Sequence, residues 1–358
     1  MEVQVRTRKD APMHVLLDRP GAVEAEGPDA GVAAHYGDPH REQRLLAEGL
    51  AVVDLSHRGV VTVSGPDRLS WLHSLTSQQL TDLPPRRSTE TLILSPKGHV
   101  EHALHLVDDG ERTWITTEPG AAPAVAGWLD SMRFMLRVEV EDVSAAYAVL
   151  GEPVSRESVD GEPVAWVDPW PGPVGDTFSY GPEGAEHPGT GRAWRELIVP
   201  REDLAAAVGD RPLAGTWAAE ALRVAAWRPR AGVDTDHRTI PHELDWLRTA
   251  VHLHKGCYRG QETVARVKNL GRPPRRVVFL HLDGSGHVIP EAGAELTPLD
   301  GGRPVGQLTS VARHAEDGPV ALALVKRTLD PGLTLLADGT AAAQTAIVPA
   351  DGPRARQS

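Results

Sequence analysis

An α+β fold is what this sequence predicts, and three observations predict it. Strand-like and helical stretches are interspersed from about residue 35 to 271 without the strict alternation of a doubly wound sheet. Beyond Gly271 the texture changes to short strands separated by Gly, Pro and Asp, the pattern of a small barrel or sandwich. "GRPP", residues 271–274, marks the boundary between the two regions. With 358 residues and 41% hydrophobic content, the chain is long enough for two or three compact domains.

Residues 1–34, rich in Gly, Pro, Ala and Asp, read as an irregular N-terminal arm, and 351–358 as a frayed tail; neither is expected to carry the fold. A short helical pattern after residue 35 leads into an alternating strand, Gly59 to Ser64. "GPDRLSWLHSLTSQ" is helical: Pro66 suits a first turn, Asp67 favours the positive end of the dipole, and Leu69, Leu72 and Leu75 share a face. "ETLILSPKGHVEHALHLV" predicts a hairpin turning at Pro96, Lys97 and Gly98. His99, His102 and His105 in that hairpin do not share a strand face and are expected at the surface. The strand "TWITTE", a helix over "AAPAVAGWLDSMRFML" and the strands "RVEVEDVS" and "AAYAVLG" come next. Residues 168–192 read as a Gly- and Pro-rich excursion. The strand "WRELIVP" and the helices "REDLAAAVG" and "TWAAEALRVAAW" complete the first region, and "RRVVFLHLDG" opens the second.

The formal charge of −12 disfavours partners bound mainly through phosphate neutralisation. A local exception is the basic run Arg266, Lys268, Arg272, Arg275 and Arg276, either a solvated face or a subsite for an anionic tail, phosphate or RNA. No apolar run is long enough to cross a membrane, and the N-terminus lacks a secretory pattern, so the expected location is the cytoplasm. No "GxSxG" elbow and no phosphate-binding glycine loop is present.

Cys257 is the single cysteine, so its thiol has no internal disulfide partner. It lies in "HKGCYRGQETVARVKNLG", ahead of a helix expected to start near Gly260 and to stop at Gly271. The helix dipole and the Lys255 ammonium are expected to favour its thiolate, while Gly256 and Gly260 leave room for a sharp turn and a ligand. A small buried residue and a zinc site with His252 and His254 are the competing readings.

These residues carry a resemblance. "KGCYRGQE", Lys255 to Glu262, resembles the signature of the YgfZ family, folate-binding proteins related to the glycine cleavage T-protein, an aminomethyltransferase. "DLSHRGVVTVSGPDRLSWLHSLTSQQL" (54–80), "LSPKGHV" and "WRPRAGVDTDHRTIPHEL" (227–244) are similar to further family blocks, so the resemblance covers about residues 35–345. It implies a folate-binding core over 35–271 with a ferredoxin-like subdomain, the two α+β parts breaking near 130–215, and a C-terminal β-barrel over 272–350. It implies tetrahydrofolate in a central channel, support of iron–sulfur cluster assembly or repair through client or assembly proteins, and a link to tRNA modification.

By position, Lys255, Gly256, Cys257, Tyr258, Gly260, Gln261 and Glu262 form the implied functional loop, with Cys257 and Lys255 as its reactive pair and Cys257 as a transient iron–sulfur ligand. Arg230, Asp234, Pro241 and Glu243 match the preceding segment; Arg230, Asp234, Glu243 and Trp227 are the implied folate contacts. Two departures separate the chain from the transferase pattern. Its G-G-V-x-D-D-L stretch reads here Gly98, His99, Val100, Glu101, His102, Ala103, Leu104, and its R-L-E-A-G reads Arg223, Val224, Ala225, Ala226, Trp227. The folate-dependent one-carbon transferase and the tRNA-modification factor therefore stand as alternatives.

Overall fold

The structure, a computed structural model, describes residues 16–286 and 289–352; the first fifteen residues of the expected arm and 353–358 of the expected tail lie outside the described residues. The helices are α1 (Pro39–Ala47), α2 (Arg68–Leu75), α3 (Ala122–Ser131), α4 (Leu204–Val208), α5 (Thr216–Ala225), α6 (Leu247–Ala250) and α7 (Gln261–Leu270). One five-stranded sheet has the spatial order Ser88–Leu94, Val100–Asp108, Arg112–Thr117, Gly59–Ser64, Glu139–Asp142. A second runs Ala165–Val167, Arg195–Pro200, Tyr147–Glu152, Val52–Asp54, Leu213–Ala214. Among the described residues the only parallel pairing in these sheets joins Leu213–Ala214 to Val52–Val53, so the α+β class holds. At the C-terminal end six strands close a barrel in the order Arg275–Leu282, Gly318–Lys326, Gly306–His314, Glu295–Pro298, Leu335–Ala337, Thr340–Ala346.

Strand periodicity joins the barrel to the core. Along Arg275–Leu282, Val278, Leu280 and Leu282 fill the barrel interior with Leu296, Leu308 and Leu335. Val277 and Phe279, on the other face, pack with Leu244, Trp246, Leu247 and Tyr258. Leu92, Leu94 and Val100 from the hairpin enter the same cluster. The barrel is thus held to the hairpin and to the loop bearing Cys257 by one continuous apolar contact.

Two expectations are corrected. The irregular arm enters the fold: Leu16, Val32, Ala33 and Ala34 are buried, and Val23–Glu24 pairs with Ala33–His35. Its apolar residues are too sparse to show a period, so composition alone hid them. The helix expected over "AAPAVAGWLDSMRFML" stops at Ser131, and Phe134 and Met135 stand almost fully exposed. The excursion over 168–192 holds only two short 3-10 turns, in keeping with the expected irregular segment, and its Trp170, Tyr180 and His187 are buried.

His242 and His187 are both buried. Burial pulls His242 down to about 4 and His187 to about 3, with the Arg248 charge adding to the latter. Unfolded, both imidazoles titrate near 6.5. As pH falls below 6.5, the unfolded chain takes up protons that the folded chain refuses, so these groups stabilise the fold above 6.5 and lose that contribution down to about 4 and 3. Thermal unfolding followed from pH 7 to 4.5 is expected to show a falling midpoint, with a shallower fall in His242→Gln.

Candidate functional site

Two rungs of cross-strand neighbours, one from each sheet, meet at the edge of a cavity. In the first sheet Glu90, His105 and Thr116 lie side by side. In the second the row is Trp166, Glu196 and Gly151. Residues paired this way project to one face. His105 stacks on Trp166 with ring centroids 3.7 Å apart and planes 5° from parallel, and its Nδ1 lies 3.0 Å from Glu196 Oε2. Thr116 Oγ1 also donates to Glu196. His105, expected at the surface, therefore lines the cavity.

The cavity is walled by ion pairs. Arg58 donates to Glu196 and to Glu118. Arg230 Nε donates to Glu118 Oε2 at 2.8 Å and its Nη2 to Asp29 Oδ1 at 2.7 Å, while His57 Nε2 lies 3.0 Å from the same Asp29 oxygen. Arg228 reaches Glu90 Oε2 (2.7 Å) and Asp168 Oδ2 (3.2 Å). Helix α5 positions these groups: it ends at Ala225, and Trp227, at φ 57°, reverses the chain so that Arg228 and Arg230 flank Pro229 beneath the sheets. Trp227 occupies the glycine position of R-L-E-A-G, and φ > 0 explains why a glycine suits that position. Burial works against every one of these charges, yet Arg58 and the His105 imidazole hold Glu196 well below the usual carboxylate range, and bonds from His57 and Arg230 do the same for Asp29. Unpaired, each buried charge would be costly.

The inner cavity measures about 70 Å³. A cavity needs roughly 10–15 Å³ to hold one water, so this one has room for a few. Four polar atoms on its lining residues, Arg228 Nη1, Trp246 Nε1, His57 Nδ1 and Thr216 Oγ1, make no hydrogen bond among the described residues. A second cavity of about 340 Å³ shares Arg192, Trp194 and Ala219 with it and is lined by Leu46, Pro188, Leu222 and Ala225 among others. Ala225 is where the transferase pattern has its glutamate.

The cysteine loop lies apart from the residues lining this cavity. Cys257 is exposed, three residues before Gly260, which caps α7. Lys255 does not serve the sulfur: its Nζ donates to the carbonyls of His73 and Thr76 at the end of α2, and it lies 5.1 Å from the Tyr258 ring centroid. Burial lowers its pKa to about 8, leaving it mostly protonated at pH 7, as suits a cation at a helix C-terminus. His73 Nε2, 2.9 Å from Lys255 O, fastens the same point from the other side. Gly260, at φ 85°, meets the hairpin turn face to face; a Cβ there would lie 2.7 Å from Ser95 O and 3.0 Å from Gly98 Cα. The glycine thus serves close chain packing rather than ligand approach, while Gly256 faces open space. Gln261 is half-buried and Glu262 exposed at the start of α7.

Of the implied folate contacts, only Arg230 lines the inner cavity. Asp234 accepts from Arg223, the Arg230 amide, Thr309 and Ser310, tying the core to the barrel. Glu243 closes its own turn through the Ile240 amide and pairs with Arg275. Trp227 packs between His187 and Phe279. The basic run is also divided: Arg275 is paired to Asp236 and Glu243, and Arg276 is fully buried with its Nη2 on Leu329 O. His254 pairs with Asp176 rather than sharing a metal with Cys257, and no cluster of three or more His, Cys, Asp or Glu fit to hold a metal ion occurs among the described residues. Sequence reasoning missed Arg58, His105, Glu118, Glu196 and Arg228; a charged residue in mid-strand among Leu, Ile and Val, such as Glu196, was the available signal.

Two substitutions test these assignments. Glu196→Gln leaves Arg58 buried with half its compensation and should cost about 3–5 kcal/mol in urea unfolding. Lys255→Ala strips the α2 carbonyls of a donor and should cost about 1–3 kcal/mol, while thiol labelling of Cys257 speeds up as the loop loosens.

Comparison with known proteins agrees with this architecture. The profile of the family described as GCVT N-terminal domain matches residues 22–156, starting inside the expected arm. A protein of Arabidopsis thaliana, provisionally named a chloroplastic transferase, is 26% identical over 83% of this chain and 70% of its own length. An aminomethyltransferase of Nostoc sp. is 26% identical over 81% of this chain and 80% of its own. The crystal structure of the glycine cleavage system aminomethyltransferase T from Bartonella henselae superposes with a TM-score of 0.73, covering 94% of this chain and 96% of that one at 19% identity. The chain therefore has the aminomethyltransferase fold, closed at its C-terminal end by a six-stranded barrel.

Proposed function

We propose that this protein is a tetrahydrofolate-binding accessory factor of the YgfZ type that supports iron–sulfur cluster assembly or repair, with Cys257 as its reactive thiol. The observation that carries this reading is an exposed sole cysteine on a loop pinned at Lys255 and at Gly260. A thiolate is the natural ligand of an iron–sulfur unit, and one alone suits transfer rather than storage, since a stable cluster takes about four. The cavity lined by Trp166, Trp246, Arg228 and Arg230 combines aromatic walls with charged edges, which suits a flat polar ring. When bound, the folate would supply a one-carbon carrier; this chain's residues orient its ring and exclude water.

The aminomethyltransferase reading is favoured by the names of the relatives. Against it, His102 and Ala103 stand where the acid pair belongs, and Glu101 is paired with Arg259 outside the cavity lining. Release of an aminomethyl group from a lipoyl carrier would establish that reading. An RNA surface would rest on Arg266, Lys268 and Arg272 alone, because the rest of the basic run is engaged.

Calorimetric titration with tetrahydrofolate is expected to show saturable binding, and no association at millimolar concentration removes folate from the account. In a strain lacking the gene, wild type is expected to restore iron–sulfur enzyme activities and Cys257→Ser to fail. Full restoration by Cys257→Ser dismisses the sulfur.

A further inference from the structure

At Asp29 the wall of the inner cavity is a single chain thick. Asp29 lines the cavity, yet its neighbours in the tip of the arm, Glu26, Gly27, Pro28 and Ala30, are exposed. The base of this tip is fixed. There the Ala25 amide donates to Val32 O at 2.9 Å, Val32, Ala33 and Ala34 are buried, and a Cβ on Gly215 would lie 2.1 Å from Ala34 O. Within the arm the tip bonds only locally, Ala30 to Gly27 O and Gly31 to Glu24 Oε1. Among the described residues, its hydrogen bonds to the rest of the protein are all made by the Asp29 carboxylate, which accepts from Arg230 Nη1 at 3.2 Å and Nη2 at 2.7 Å and lies 3.0 Å from His57 Nε2. Gly27 (φ 63°) and Gly31 (φ 98°) flank Asp29, and a Cβ on Gly27 would meet nothing within 4 Å. A segment with a fixed base, glycines on both sides and one polar fastening opens locally at low cost.

The cavity measures about 70 Å³. A space of about 150 Å³ holds one benzene molecule in a protein interior, so a bicyclic ring enters here only when a wall gives way. The sheet walls are held at several points: Glu196 by Arg58, His105 and Thr116, and Asp168 by Arg192 and Arg228. The tip is held at one, and when that parts Arg230 keeps the carboxylates of Glu118 and Glu220. We propose that residues 26–31 form a lid on the inner cavity, latched by Asp29 to Arg230 and His57, which lifts to admit a flat bicyclic ligand and closes behind it. This rests on the folate reading and deepens it: the charge lattice that builds the site also gates it.

The test is stopped-flow mixing of the full chain with tetrahydrofolate, followed by the fluorescence of Trp166, Trp194 and Trp246, which line the cavity. The wild-type association rate is expected to level off as tetrahydrofolate is raised, because lifting of the lid limits entry. Asp29→Asn keeps the size of the side chain and removes its charge. It should raise both the limiting association rate and the dissociation rate about ten- to hundredfold, the range of a lost hydrogen bond to a charged group. Hydrogen exchange of the wild type carries the test should Asp29→Asn fail to fold: bound tetrahydrofolate is expected to slow the Ala30 and Gly31 amides. Faster dissociation alone would mark Asp29 as a ligand contact and overturn the lid. An association rate that rises linearly and is unmoved by Asp29→Asn, or tip amides that exchange equally fast with and without ligand, also overturns it and leaves folate binding standing. A wild-type protein that does not bind tetrahydrofolate removes both.

Discussion

The arrangement depends on the requirement that a charge taken out of water be met by another. Arg58 joins Glu196 of the second sheet to Glu118 beside the first, and Arg230 joins Glu118 to Asp29 of the arm and Glu220 of α5. Apolar contact between two sheets tolerates sliding, whereas paired forks and carboxylates do not. The cavity is what remains at the centre of this lattice, and its shape follows from where the pairs hold the sheets.

Periodicity exposed the elements that have one. The α7 helix shows its stop in Gly271, which adopts φ 69°, and the strand Gly59–Ser64 shows its alternation. The sites were less legible because they are built from distant pairings. Glu196 and Arg58 are 138 residues apart, and nothing local in either announces the other. Lys255 looked like an activator of its neighbour Cys257 because sequence order suggests it, yet a lysine side chain is long enough to reach α2 instead. Arg275 and Arg276 read as one basic patch, but alternate residues of a strand face opposite ways, and one meets two acids while the other enters the barrel.

The cysteine loop and the cavity are separate constructions joined through shared packing. Tyr258, next to the sulfur, belongs to the same apolar cluster as Trp246, which lines the cavity, and as the outer face of the barrel. A ligand that orders Trp246 is therefore in contact, through one packed layer, with the segment that presents the thiol.

The arm changes how this chain can be handled. Asp29 lies inside the charge lattice, accepting from both Arg230 and His57, although its neighbours look dispensable. A shortened version beginning at residue 35, as a boundary drawn from composition would suggest, would take from Arg230 one of its three carboxylates and from His57 Nε2 its partner. Removing the segment from Leu16 to Asp29 therefore takes away a buried apolar side chain as well as a member of the charge lattice.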